Sequence, residues 1–202
     1  MELPAYYNDL KKAWQKSVAL MCEGVGSNSH GMHTVTIATE ANDKPDLRTV
    51  VLRSFDELTK TLTFHTDSRS HKVSHIVMNP NVAVLAYSYD EKIQLRMHGQ
   101  AIVHHQDALT RERFDGVTPS ARRCYLSSDA PGTTLDDPTV ALAEIFQTDS
   151  YDKNDTECAY EHFAVVEVKL TSLDWLYLHH QGHRRARFEF DGETTKQQWL
   201  VP

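Results

Sequence analysis

The 202-residue sequence predicts one mostly β domain with helices, an α+β arrangement whose strands close into a barrel. An amphipathic helical segment opens the chain, and from His33 onward short runs rich in Val, Thr, Ile and Leu alternate with turn clusters. One short helix interrupts these runs. Short β-rich runs bounded by turn residues are typical of barrels and sandwiches. This length, with 40% hydrophobic residues, is enough for one core.

The elements are predicted in chain order from apolar spacing and turn residues. Pro4–Glu23 is predicted as a helix that ends near Gly24 and Gly26. The first strands are predicted at His33–Thr39, Leu47–Ser54, Thr61–Thr66, Val82–Tyr89 and Lys92–His104, with a helix at Ser70–Met78 before Asn79-Pro80. The last strands are predicted at His162–Thr171, Asp174–His179, Arg185–Phe190 and Gln198–Val201.

We expect a single domain over residues 1–202. Its core covers residues 30–105, a more helical insertion covers 106–150, and the C-terminal strands cover 160–202. The sequence contains no internal repeat, which agrees with a domain that is built once.

Charge and composition exclude several classes of protein. A net charge of -7 argues against a general nucleic-acid binder, which needs a basic surface. Met1–Ala5 lacks the basic start of an export signal, and no run approaches the ~20 apolar residues of a membrane span. Cys22, Cys124 and Cys158 are odd in number and scattered, which argues against a disulfide framework. We therefore expect a cytoplasmic protein without membrane or nucleic-acid partners.

The segment Arg48–Arg53 places two fixed cations on an otherwise apolar strand. A half-buried arginine is costly unless an anion pairs with it. Their five-residue offset would point the two side chains to opposite faces of a regular strand. Unless a bulge intervenes, Arg48 and Arg53 serve two different anionic neighbours.

A second basic segment, Phe64–Lys72, runs from a strand end into the start of the next helix. Free N–H groups and the helix dipole favour an anion there. Ser70, His71 and Lys72 add a hydroxyl and further donors, so a phosphate monoester is the expected ligand. On a later strand, Gln94 offers the carbonyl and the amide that can bind the edge of a flat heterocycle.

The order of these segments resembles the flavin mononucleotide (FMN)-binding core of the pyridoxamine 5′-phosphate oxidase family. Arg48–Arg53, then His65-Thr66 through Ser70 and Lys72, then Asn79-Pro80 and Gln94 follow the family's order over about residues 34–103. The resemblance returns at the C-terminus in His183–Phe188 and Trp199–Pro202. It implies a split β-barrel flavoprotein that binds FMN at a homodimer interface and acts as an oxidoreductase.

Within this resemblance, Arg48, Ser70 and Lys72 match residues that hold the FMN phosphate and ribityl chain. His65 and Thr66 match a flavin-contacting pair, and Gln94 matches an isoalloxazine contact. Arg187 and Tyr177 match residues contributed by the partner subunit, and His71 replaces an expected arginine, which could make affinity depend on pH. The implied cofactor residues are Arg48, Thr49, Val50, Val51, Arg53, His65, Thr66, Ser70, His71, Lys72, Gln94, Tyr177 and Arg187.

The substrate contacts of the oxidases are mostly missing. Arg53 matches a lysine that touches both flavin and substrate phosphate. An ungapped alignment from Gly99 puts Glu112 and Gly116 where the oxidases have tyrosine and arginine, and only Ser120 agrees. Arg184 and Arg185 stand for a C-terminal arginine–histidine pair. The resemblance thus implies a sister group with a different, unknown substrate, and with Arg53, Ser120, Arg184 and Arg185 as its candidate contacts.

Two other classes of function stay open at this point. One is a flavin-binding stress or redox module without turnover, and the other is a metal- or heme-binding split barrel. His71 and His75 have the i, i+4 spacing of zinc ligands, and His179, His180 and His183 cluster in sequence. No third ligand or H-E-x-x-H motif accompanies them, so no metal site is predicted. The sequence identifies no general base, and it leaves the catalytic residues unknown.

Overall fold

The computed structural model describes residues 3–138, 141–147, 151–192 and 194–202. The described strands are β1 (Thr34–Ala41), β2 (Lys44–Asp56), β3 (Thr61–Asp67), β4 (Asn81–Ser88), β5 (Ile93–His105), β6 (Phe163–Tyr177), β7 (Arg184–Asp191) and β8 (Thr194–Leu200). The helices are α1 (Leu10–Gly26), α2 (His71–Met78), α3 (Ala108–Asp115) and α4 (Pro119–Arg122). Single 3₁₀ turns lie at Arg123–Tyr125, Glu144–Gln147 and Glu157–Glu161. The predicted domain and insertion both include residues outside these ranges.

Six antiparallel strands close the barrel in the order β3-β2-β1-β4-β5-β6, because β6 pairs back onto β3. The long strand β6 makes this closure possible. Its first half, Phe163–Lys169, pairs with β3, and its second half, Ser172–Tyr177, pairs with β7. β8 then extends the sheet beyond β7. The predicted fold class, a mostly β split barrel with helices, is confirmed.

Several predicted boundaries differ from the structure, which begins β2 at Lys44 and β8 at Thr194. Two further differences have clear local reasons. α1 begins at Leu10, later than predicted, because the Asp9 side chain caps it by accepting a hydrogen bond from the Lys12 N–H. The two strands predicted on either side of Ser172 are one strand with a β-bulge, where the β5–β6 register shifts at His98 and Gly99. Gly99 lies so close to β6 that an added Cβ would be 2.5 Å from the Lys169 carbonyl oxygen.

The barrel interior forms the main core, and α1 packs across it against β2, β7 and β8. A second, smaller cluster lies under the connection between β5 and β6 and contains Phe114, Tyr125, Ala159, Phe163 and Val165. This cluster fixes α3 and the Arg123–Tyr125 turn against the start of β6. No helix in the described ranges is long and apolar enough to cross a membrane.

Candidate functional site

The site begins where the pairing between β2 and β3 ends. Leu52–Asp56 of β2 pairs with Thr61–Phe64 of β3, whereas residues 44–51 pair with β1. The register shift between Leu52 and Ser54 makes Arg53 the extra residue of a bulge. Past the last pair, β3 continues to Asp67 and leads into α2. We call this opening the split; residues 49–51 lie on its β2 side and residues 65–66 on its β3 side.

A group of polar side chains, which we call the Lys72 cluster, lies beside the split at the start of α2. It consists of Arg48, Thr66, Ser70 and Lys72. The Lys72 Nζ donates to Thr66 Oγ1 and to Ser70 Oγ, at 3.0 Å each. Both hydroxyl residues are buried, and their oxygens lie 3.3 Å apart. Ser70 is the N-cap residue of α2, but its hydroxyl makes no capping bond and contacts Lys72 instead.

Arg48 completes the Lys72 cluster from β2. Its Nη1 donates to Thr39 Oγ1 at 2.6 Å, and the same oxygen lies 3.1 Å from His75 Nδ1. Arg48 also pairs with the Asp46 carboxylate. Burial and the nearby Arg48 charge lower the pKa of the Lys72 ammonium. Two half-buried cations near each other fit a phosphate, which would neutralise them and accept their hydrogen bonds.

The loop after α4 is fastened next to this cluster. Arg69 binds the buried Asp67 carboxylate through Nε and Nη2 at 3.0 and 2.8 Å. The same guanidinium donates to the carbonyl oxygens of Ser127 and Ser128 at 3.0 and 3.3 Å. Gly132 lies against the exposed His71 ring, with 3.4 Å between the position of a Cβ there and His71 Cε1. The loop therefore lies next to the Lys72 cluster on the side where the His71 ring is located.

A second feature, which we call the arginine cavity, has a volume of about 310 Å³. Burial, Arg53 and Arg113 lower the pKa of His65 to about 4, so its imidazole is neutral at pH 7. Burial also raises the pKa of the Tyr125 phenol. The cavity thus combines two guanidinium groups with neutral donors. Its lining residues are Arg53, Ser54, Thr63, His65, Arg113, Gly116, Val117, Thr118, Ala121 and Tyr125.

Both arginines of the cavity are poorly compensated by protein carboxylates. The Glu112 carboxylate is 3.9 Å from the Arg113 guanidinium. Among the described residues, Arg53 has no carboxylate within ion-pair distance. Arginines usually pair with anions when they line a recess, so the cavity favours an anionic ligand.

The predicted substrate contacts are only partly brought together. Arg53 lines the cavity, whereas Ser120 is exposed and lies outside its lining. The Arg184 guanidinium lies over the Tyr7 ring, 4.0 Å from its centroid, and Arg185 binds Asp174. A single chain therefore does not place these three residues beside Arg53.

Among the cavity residues that the sequence prediction missed are a charged one, Arg113, and a phenol, Tyr125. Phe114 is fully buried in the small core cluster, and this orientation of α3 turns Arg113 towards the cavity. The ungapped alignment places Glu112, one residue away, as a mismatch to the oxidases' tyrosine and does not single out Arg113. The apolar Phe114 was the available signal, because the buried residue of a short helix determines which neighbours face the barrel.

A third group of residues lies on the outer face of β5, β6 and β7. Gln94 on β5 is the cross-strand partner of Leu176 on β6. Arg187 on β7 is the partner of Asp174, which precedes Leu176 by two residues on β6. Tyr177, predicted to join this group, instead faces the core with 8% exposure and packs against Tyr6 at 5.4 Å between ring centroids. Strand alternation explains this difference, since Tyr177 shares the parity of the buried Trp175. Leu176 takes the outward position beside Gln94.

The Lys72 cluster and this outer group occupy different faces of the sheet. Arg48 shares the inward parity of Val50 and Leu52, which are buried. Gln94 and Arg187 alternate with buried residues and point outward. One chain therefore holds Gln94 and Arg187 apart from its own Lys72 cluster.

The histidines do not form a metal site within the described ranges, where no group of three or more His, Cys, Asp and Glu side chains could hold an ion. His71 and His75 stack with 6.4 Å between ring centroids. The rings of His179 and His180 lie 4.4 Å apart in the turn between β6 and β7.

Comparison with known proteins agrees with this geometry. The family model described as pyridoxamine 5′-phosphate oxidase, FMN-binding domain, matches residues 7–105. The chain belongs to this oxidase-like family. The matched range runs from before α1 to the end of β5, so it includes the Lys72 cluster, Arg53, His65 and Gln94. Arg113, Asp174 and Arg187 lie beyond it.

Several solved structures share the fold of this family member. A pyridoxamine 5′-phosphate oxidase-related, FMN-binding protein from Nostoc punctiforme is 21% identical, with all of both chains covered and a TM-score of 0.76. PhzG from Burkholderia lata, solved with tetrahydrophenazine-1-carboxylic acid, is 17% identical, with 100% of this chain and 98% of PhzG covered and a TM-score of 0.67. A Clostridium acetobutylicum protein related to general stress protein 26 is 13% identical, with 92% of this chain and 99% of that protein covered and a TM-score of 0.55. At these identities the likeness extends to the fold alone.

Proposed function

We propose that this chain is an FMN-dependent oxidoreductase that binds its cofactor across a homodimer interface and acts on a small anionic substrate. The observation that carries the proposal is the Lys72 cluster beside the split. Arg48, Lys72 and two buried hydroxyls converge there, at the free N-terminal end of α2. Membership of an FMN-binding family supports the same ligand.

The Lys72 cluster would hold the terminal phosphate of FMN. Lys72 and Arg48 supply charge, while Ser70, Thr66 and the first N–H groups of α2 supply further donors. Thr49–Val51 and His65 line the split from its two sides. Because Val50 is buried in the core, we expect its cofactor contact to use the backbone.

The dimer would complete each site. Gln94 and Arg187 lie on the outer face, away from the Lys72 cluster of their own chain. Leu85 and Tyr87 are partly exposed on the neighbouring strand, 40% and 38%, which favours a partner covering this face. We propose that Gln94 and Arg187 of one chain reach the FMN held by the Lys72 cluster of the other, so that one isologous interface makes two sites.

The arginine cavity would bind the substrate. FMN, when bound, supplies the two-electron chemistry. Arg53 and Arg113 would hold an acidic group of the substrate, and the neutral His65 and Tyr125 would orient it through hydrogen bonds. The ungapped alignment puts Glu112 and Gly116 in place of the oxidases' tyrosine and arginine, and the cavity instead takes Arg113 and Tyr125 from other positions. We therefore expect a carboxylate or phosphate ester other than pyridoxine 5′-phosphate. The exposed, unpaired cysteines support a reducing compartment such as the cytoplasm.

The absorption spectrum and the identity of the released cofactor test this proposal. Purified protein should show flavin bands, and boiling should release FMN, because the Lys72 cluster fits a terminal monoester. Release of FAD, or no flavin binding after reconstitution with excess FMN, would contradict the proposal. A Soret band would instead indicate a heme-binding barrel.

Anaerobic reduction of the bound flavin separates an enzyme from a flavin-binding module without turnover. We expect small carboxylates or phosphate esters to bleach the flavin faster than uncharged analogues of the same size. Pyridoxine 5′-phosphate should react slowly. A flavin that no member of such a panel reduces, and that no reduced nicotinamide reduces either, would favour the module.

A further inference from the structure

Asp174 is the centre of a charged group on the outer face, which we call the Asp174 cluster. Its carboxylate binds Arg185 through Nε at 3.0 and 3.2 Å and through Nη2 at 2.9 Å. The Arg96 Nη2 lies 3.2 Å from Asp174 Oδ2, and the Arg187 Nη2 lies 3.3 Å from the same oxygen. One carboxylate therefore contacts three guanidinium groups.

Strand register creates this arrangement. Arg96 on β5 and Arg187 on β7 are the direct cross-strand partners of Asp174 on β6. Arg185 is the diagonal neighbour on β7. Side chains directly opposite each other on one face of a sheet are in contact range, so the two flanking arginines meet at Asp174 from both sides.

Burial separates the roles of the four residues. Asp174 is 5% exposed, and Arg185 is the most buried of the three arginines. Arg187 keeps 40% of its side chain exposed and, among the described residues, has Asp174 as its one hydrogen-bond partner. Arg185 thus fixes the carboxylate, and the carboxylate fixes one end of the Arg187 guanidinium while its other donors stay free.

Charge balance alone does not explain the position of Asp174 among three arginines. Three arginines against one aspartate leave an excess of positive charge, and the nearby Glu189 contacts Lys196 at 3.7 Å. The arginines and the hydrogen bonds they donate lower the pKa of Asp174, although its burial acts in the opposite direction. The carboxylate is therefore ionised at neutral pH, where it keeps its bonds to the arginines.

We infer that Asp174 is a positioning residue for the cofactor site, which holds Arg187 in the orientation needed to reach the partner's FMN. The inference rests on the proposed function. Arg187 would contact the cofactor, and Asp174 would act only through Arg187. A pre-oriented guanidinium loses less side-chain entropy on binding than a free one, so the aspartate strengthens FMN binding although it is itself an anion.

A double-mutant cycle on FMN affinity tests the inference. The probe is FMN itself, titrated into FMN-free protein and followed by quenching of flavin fluorescence. Asp174→Asn should weaken FMN about five- to tenfold when Arg187 is present. In the Arg187→Ala background the same change should alter affinity by less than about twofold, because residues that act through each other are not additive.

Glu189→Gln is the matched control. It removes one negative charge from the same face, beside Asp174 and Arg187, but the Glu189 carboxylate pairs with Lys196 and takes part in none of the arginine hydrogen bonds of the Asp174 cluster. We expect its FMN affinity to stay within about twofold of the unmodified chain. If Glu189→Gln weakens FMN as much as Asp174→Asn, general charge explains the effect and the inference fails.

The remaining outcomes are equally decisive. Tighter FMN binding by Asp174→Asn would show that the aspartate merely opposes the anion, and equal losses in both Arg187 backgrounds would show that it does not act through Arg187. If Asp174→Asn does not fold, Arg185→Gln takes its place in the same cycle, with the same expected and contradicting results. A wild-type chain that binds no FMN overturns the proposed function, whereas wild-type binding with additive losses overturns this inference alone.

Discussion

The Lys72 cluster and the arginine cavity lie at the same split but differ in how they are built. The cluster takes Thr66, Ser70 and Lys72 from one short segment, and it hydrogen-bonds its lysine to buried hydroxyls. The cavity takes Arg53 and Arg113 from distant parts of the chain and leaves them poorly compensated. The difference indicates that the geometry of the first region comes mainly from one local segment, whereas the second is shaped by the connection between β5 and β6.

We expect the largest loss of FMN affinity from a substitution in the Lys72 cluster. Lys72→Met should weaken FMN about ten- to over a hundredfold, because it removes a charge-assisted hydrogen bond to the phosphate. Flavin fluorescence titration measures the loss. Lys44→Met, an exposed lysine on β2, serves as the control and should leave affinity unchanged. Equal affinity in Lys72→Met and the unmodified chain would show that the cluster does not hold the cofactor.

The second prediction concerns the pH dependence of stability. The folded pKa of His65, about 4, lies below its ordinary value of 6.5, so the unfolded chain binds the proton more readily. Stability conferred by neutral His65 is therefore complete above pH 6.5 and is lost as pH falls towards 4. Between pH 7 and 4, the free energy of unfolding in urea should fall by on the order of 3 kcal/mol less in His65→Gln than in the unmodified chain. Parallel curves for both proteins between pH 7 and 4 would place His65 in an ordinary aqueous environment.

The third prediction separates the cavity from the cluster. With FMN saturating, inorganic phosphate should raise the melting temperature by binding in the arginine cavity. Arg113→Ala should weaken this phosphate binding about tenfold and leave FMN affinity within about twofold. Lys11→Ala, which removes an exposed cation on α1 outside the cavity lining, is the control. A loss of FMN affinity in Arg113→Ala equal to that in Lys72→Met would merge the two regions into one site.

The smallest effect is expected at Ser120. Its side chain is exposed and outside the cavity lining, so Ser120→Ala should change neither phosphate stabilisation nor unfolding free energy by more than about 0.5 kcal/mol. Thermal unfolding with and without phosphate measures both. A clear loss of phosphate stabilisation would restore Ser120 as a ligand-binding residue.

What the sequence could predict follows the same contrast. In a contiguous segment such as Thr66–Lys72, a strand end followed by a helix start determines where the side chains point. Their arrangement can therefore be predicted from the sequence. Arg113 was missed because its orientation depends on the burial of Phe114 in a tertiary cluster. Tyr177 faces the core although its neighbour Leu176 faces outward, and the sequence alone does not determine which of two adjacent strand residues points to which side. The Arg53 bulge needed the pairing of β2 with β3, which a single sequence does not contain.

The central claim is that each FMN is bound by the Lys72 cluster of one chain and by Arg187 of the other. Chains carrying Lys72→Ala and Arg187→Ala, each with a different affinity tag, can be mixed and the heterodimer purified through both tags. One site of that heterodimer would contain both lesions, and the other would be intact. The FMN-to-dimer ratio at an FMN concentration that saturates only intact sites measures the outcome directly. The account predicts one tightly bound FMN per heterodimer and almost none for either variant homodimer. A heterodimer that binds FMN no better than the variant homodimers would contradict it.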